Sequence, residues 1–118
     1  MVGNLEDPSP PGRPGDREVL DAVMAEFLAE LDLDAARLTR ALASADFATA
    51  ARSAHKIRGA ADMIGAQPLA AVAGLVEFLA RYGDLHGTDI ANRALNGAIH
   101  TLESFVLARA GVPQGSLS

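Results

Sequence analysis

Leu20, Met24, Phe27, Leu31, Ala35, Leu38 and Leu42 recur at spacings of three or four residues. That spacing places them along one side of an α-helix about seven turns long and does not suit a strand, whose faces alternate with period two. Leu33 falls off the stripe, and Asp32 and Asp34 slightly weaken helix propensity there. The register nevertheless carries through without a slip, so one continuous helix is expected, with Asp16 as its N-cap. A helix with a single apolar face draws most of its stability from neighbours that bury that face.

The chain supplies three such neighbours. Ser44 to Asp46 interrupts the pattern and offers caps. A second helix is then expected from Phe47 to Ile64, turning Phe47, Ala50, Ala54, Ile57, Ala61 and Ile64 inward, with Gly65 at the C′ position. Pro68 suits the first position of a third helix, where its missing N–H costs nothing. That helix presents Leu69, Val72, Ala73, Val76 and Leu79 to the core and stops near Gly83. Thr88 is the expected N-cap of a fourth, which buries Ala91, Leu95, Ala98, Leu102 and Phe105 and ends before Gly111 and Pro113. Four amphipathic helices with short connections predict an all-α, antiparallel four-helix bundle with a long first helix, over residues 16–110. Residues 1–15 contain Pro8, Pro10, Pro11 and Pro14 and few apolar side chains. They read as a flexible tail or interdomain linker, as in a domain cut from a larger protein, and residues 111–118 as a short polar tail.

Composition removes several classes of function. The 118 residues leave room for one domain. The formal charge is −5, and no run of Lys and Arg could follow a phosphate backbone, so nucleic acid is not an expected partner. Without cysteine there is no disulfide, zinc–thiolate site or thiol catalysis. No apolar run approaches the roughly 20 residues of a membrane span, and the start lacks a signal-peptide pattern. A cytoplasmic domain without direct membrane contact is expected. Each helix has one apolar stripe that the bundle consumes, so a monomer is expected too.

His55 stands out on the second helix. At 100° per residue it lies about 130° from the centre of the buried stripe. A lone histidine in a helical protein is ordinarily a core or surface residue with no task, and this angle disfavours the core. Its neighbours then need explaining. Gly59, at i+4, lies on the same face and costs about 1 kcal/mol in a helix interior, a cost that an open approach to the imidazole would justify. Arg58, at i+3, can offer charge-assisted hydrogen bonds to phosphoryl oxygens. Lys56 and Arg52 add positive charge, which an ordinary solvated face would also explain. Other chemistries fit poorly. His55, His86 and His100 are far apart and lack metal-ligand spacing. His86 is expected in a loop and His100 on the exposed side of the fourth helix. No Ser-His-Asp set assembles from local motifs, and Gly59-Ala60-Ala61 is not a phosphate loop.

His55, Arg58, Gly59, Ala60-Ala61, Gly65-Ala66, Leu69 and Glu77 together resemble the signature of histidine-containing phosphotransfer (Hpt) domains. The likeness extends to the carboxyl-terminal Hpt modules of unorthodox hybrid sensor histidine kinases. It implies that His55 is the phospho-acceptor through Nε2, and that Glu77, 22 residues on, accepts a hydrogen bond from Nδ1–H across the helix pair. It implies a phosphoryl contact for Arg58, at a position more often Lys, and access for Gly59. The partners implied are receiver domains of a response regulator or hybrid sensor kinase. Such a receiver supplies the phosphoryl group from an aspartate and brings the Mg²⁺, with no cofactor on this chain and no kinase activity of its own. Docking is expected around Gly59, Asp62 and Met63 with part of the first helix. Val19 and Val23 there are read as core, or else as apolar contacts to the partner. The alternative is a non-catalytic helical interaction module in which His55 is incidental.

Overall fold

The computed structural model describes residues 15–109. Four helices follow one another: α1 (Asp16–Ala43), α2 (Phe47–Met63), α3 (Gln67–Tyr82) and α4 (Leu85–Arg109). Each packs against the helix before it, and α4 closes the ring against α1. The short connections make neighbours antiparallel, which is the expected bundle. Of the expected tails, 1–15 and 111–118, all but Gly15 lie outside the described residues, as does Ala110.

The core is built where the four stripes meet. Leu31, Leu38, Ile57, Val76 and Leu95 are buried almost completely, with Ala50, Ala54, Ala61, Ala73, Ala80 and Ala91 between them. The alanines keep the axes close, and the branched side chains supply the apolar area, each worth roughly 1.5–3 kcal/mol when fully buried. Local chemistry ends each helix. The Asp46 side chain accepts the Thr49 N–H at 3.2 Å and starts α2. Gly65 and Gly83, at φ 76° and 74°, take the left-handed conformation that follows α2 and α3.

Several expectations are corrected. Gly15 occupies the cap position and Asp16 is the first helical residue, an acid in the first turn of α1. Pro68 is the second residue of α3, after Gln67. The start of α4 lies three residues before the expected cap. Asp84 Oδ1 accepts the Gly87 N–H at 2.9 Å, while Thr88 is fully buried and donates its hydroxyl to the Asp84 carbonyl. His86 is therefore an exposed residue of the first turn of α4 and not of a loop. His100 is exposed on α4, as expected.

Leu20, Ile64 and Phe105 are exposed where burial was expected, and so are Val19 and Val23. The reason is length. At about 1.5 Å per residue, α1 and α4 run about 40 Å, but α2 and α3 only about 25 Å. Beyond the shorter pair, the outer turns of α1 and α4 have, among the described residues, only each other, tied by the Arg17 guanidinium donating to the Arg109 carbonyl at 2.9 Å. Ile64 sits at the C-cap of α2, past the last helical residue.

Candidate functional site

Ala54, Ile57 and Ala61 pin α2 to the core with no exposed surface. That fixes the rotation of the helix and leaves the His55 side chain 58% exposed. The ring lies over α3. On that helix Ala73, Val76 and Ala80 face inward, and Glu77 sits at the edge of the same buried face, 8% exposed. The two meet: His55 Nδ1 is 3.3 Å from Glu77 Oε1 and 3.2 Å from Oε2.

Glu77 is also held by two arginines. Arg81, one turn along α3, donates to Oε2 from Nε at 3.2 Å and from its terminal nitrogen at 2.8 Å. Arg58, reaching across from α2, approaches Oε1 at 3.3 Å. Burial pushes the carboxyl up, but hydrogen bonds from Arg81 and His55 and the charge of Arg58 outweigh it, so Glu77 sits below the usual glutamate range. An ionised carboxylate can only accept. With Glu77 in that state, Nδ1 must carry the proton to make this contact, and the lone pair of a neutral ring is then on Nε2. Arg58 stands 3.5 Å from Nδ1. Two donors do not bond each other, so Arg58 serves Glu77 in this arrangement. Its stem crosses α3 at Gly74, where an added Cβ would stand 3.4 Å from Arg58 Cδ.

Gly59 has open space around it: a Cβ there would meet nothing within 4 Å. Packing inside the bundle therefore does not require this glycine, and any demand for it comes from outside. Asp62 and Met63 are exposed on the same helix, Met63 almost fully. On the other side of the ring, Asp34 of α1 is buried and paired with Arg37 at 3.0 Å and with Lys56 at 3.5 Å. Lys56 thus ties α2 to α1 beside the imidazole. Arg52 is exposed and donates to Thr49 Oγ1 at 3.1 Å. Val19 and Val23 lie on the outer part of α1, away from His55.

Sequence reasoning missed Arg81, Gly74 and Asp34. The Glu77–Arg81 spacing of four residues was the available signal for the first. Gly74 and Asp34 depend on the packing of neighbouring helices, which no local pattern encodes. Among the described residues, no group of three or more His, Asp or Glu side chains is placed to hold a metal ion, and no helix is long and apolar enough to cross a membrane.

The family model of the Hpt domain matches residues 22–108. The chain therefore belongs to the Hpt domain family, whose members carry out histidine phosphotransfer in two-component phosphorelays and interact with receiver domains. The match takes in all of α2 and α3 and nearly all of α1 and α4. No curated protein and no solved structure matches the chain.

Proposed function

We propose that His55 is the phospho-acceptor of this domain, taking a phosphoryl group from the aspartyl phosphate of one receiver domain and passing it to an aspartate of another. The observation that carries the reading is an exposed imidazole whose Nδ1 is engaged by a buried, ionised Glu77. Nε2 attacks phosphorus in line, and the N–P bond forms as the P–O bond to the donor aspartate breaks. The electron pair of that bond leaves with the carboxylate, and Nδ1 keeps its proton against Glu77 throughout. Return to a second receiver is the same displacement in reverse. Most of the charge stabilisation in phosphoryl transfer comes from cations around the phosphoryl oxygens. Mg²⁺ on the receiver would supply part of it, and Arg58 a further share if it turns outward from Glu77. Gly59 leaves room for the receiver to come close.

Residues 16–110 form the phosphotransfer unit in this reading. It works in the cytoplasm, alone or as the carboxyl-terminal module of a membrane-bound sensor kinase. The test is transfer from a panel of phosphorylated receiver domains to the wild type and to His55→Gln. Acid-labile, alkali-stable label on the wild type alone is the expected result. Equal label on both proteins would sink the assignment.

A further inference from the structure

The core stripes of α1 and α4 continue past the helices that cover them. With 17 residues in α2 and 16 in α3, α2 ends level with about residue 27 of α1, and α3 begins level with about residue 100 of α4. Beyond that level stand two antiparallel helical segments about 15 Å long. At 100° per residue, Leu20 and Met24 lie within about 40° of Leu38, the buried centre of the α1 stripe. Val106 lies within about 20° of Leu95, its counterpart on α4. A hollow of about 310 Å³ between the two segments has Leu20, Met24, Phe105 and Val106 in its lining. The expectation of a monomer rested on the bundle consuming every stripe, and here it does not.

We infer that these outer turns are a dimer interface, across which a second copy of this chain packs its own outer turns in the antiparallel sense. Three observations select that occupant. The first is shape. What α1 and α4 lack at this level is a pair of antiparallel amphipathic helices. A two-fold axis through the segment supplies that pair from the same segment of a second copy and completes a four-helix bundle. The second is area. Val19, Leu20, Val23 and Phe105 are 65%, 49%, 56% and 58% exposed. At roughly 150–200 Å² for a whole side chain, they leave roughly 400 Å² of apolar surface open, enough to mark a contact. Two such faces with their rims reach about 1,200 Å² in total, the lower end for a specific interface, so a reversible dimer is expected. The third is charge. The basic groups of the segment are Arg17 and Arg109 in its outermost turns, beside Asp16, Glu18 and Asp21. At its foot stand the exposed carboxylates Glu26, Glu30 and Asp62. Antiparallel overlap sets Arg17 and Arg109 of each copy level with Glu26 of the other, whereas a parallel pair would stack arginine on arginine. Residues 1–14 offer only Met1, Val2 and Leu5 as large apolar side chains, too few to match the face. His55 lies eight residues back from the end of α2, about 12 Å from the foot, and stays open in the dimer.

Sedimentation equilibrium of the full chain tests this, with loading from about 1 to about 500 µM. The wild type should pass from monomer to dimer with a Kd of about 1 to 100 µM. Leu20→Glu places two carboxylates near the two-fold axis and should stay monomeric throughout. Leu20 is half exposed, so circular dichroism and a urea melt should show this variant folded. Arg17→Glu should weaken the dimer at least about fivefold, and adding Glu26→Arg should return Kd to within about threefold of the wild type. A wild type that is monomeric at every loading would overturn the inference. So would a folded Leu20→Glu that dimerises like the wild type, or an Arg17→Glu defect that Glu26→Arg does not repair. A chain that dimerises only once residues 1–14 are removed would give the face to that segment instead.

Discussion

Replacing Glu77 by Ala tests whether the imidazole is held in one protonation pattern by its neighbour. A hydrogen bond to a charged group is worth about 1.5–3 kcal/mol. The ring is 58% exposed, so water competes and about half of that should survive. A loss of about 0.75–1.5 kcal/mol in the transition state slows transfer about 4- to 12-fold. A second effect acts in the same direction. Arg58 loses its carboxylate and already stands 3.5 Å from Nδ1, so it can donate there and move the ring proton to Nε2, the attacking atom. Glu77→Gln keeps an acceptor oxygen without the charge and should slow transfer only about 2- to 4-fold, since neutral bonds are about half as strong. Stability should change by about 1 kcal/mol or less in either variant, because Arg58 and Arg81 are partly exposed and can turn to water. The assay is single-turnover transfer beside urea unfolding, with ¹⁵N shifts of the His55 ring reporting which nitrogen carries the proton. A folded Glu77→Ala that transfers at the wild-type rate, or keeps its proton on Nδ1, would refute the reasoning.

Gly59→Ala should leave the fold intact and raise its stability by up to about 1 kcal/mol in a denaturant melt, since the new Cβ meets nothing. Gly59→Phe should slow receiver transfer at least about tenfold, because the space it fills is the approach to the ring; an unchanged rate would remove Gly59 from the access route. Stability should also depend on pH through two glutamates acting in opposite senses. Glu103 of α4 is partly buried and shares a hydrogen bond with Asp32 of α1, and burial and that neighbour raise it from 4.5 to about 7. Its folded state holds the proton more tightly, so its contribution is full below about pH 4.5 and is lost as pH rises through 7. Glu77 is lowered, so its contribution is present above the ordinary value of 4.5 and is lost as pH falls through its folded value. Urea melts should show stability falling from pH 5 to pH 8 by about 1 kcal/mol, after discounting the Glu103 shift for solvent screening. Glu103→Gln should flatten that fall, and an unchanged slope would show that the pair is not its cause.

The sequence carried most of the bundle because period 3.6 is a local property. Leu31, Leu38, Ile57 and Leu95 are core residues as the stripes require. The exposure of His55 followed from angle alone. Periodicity cannot say where a stripe runs out of partners, which depends on how far the neighbouring helices extend. That is why Leu20 and Phe105 belong to the apolar stripes and are nevertheless exposed. Gly87 looked like part of a loop, yet its N–H is the one that the Asp84 side chain caps, so α4 begins earlier than its glycine suggests. Glu77 was legible only through the family resemblance, since its contact with His55 joins residues on two helices. Asp34 escaped for the related reason that its burial and its pair with Lys56 depend on the relative rotation of packed helices, whereas the four-residue spacing from Glu77 did signal Arg81.

In the proposed relay, phosphate is carried on Nε2 of His55 while Nδ1 stays bonded to Glu77. The most direct test is NMR of the ¹⁵N-labelled chain after phosphorylation, reading phosphorus–nitrogen coupling in the His55 ring. Coupling at Nε2, with the proton retained on Nδ1, is the predicted result. Phosphorus on Nδ1, on His86 or His100, or on a carboxylate would contradict it.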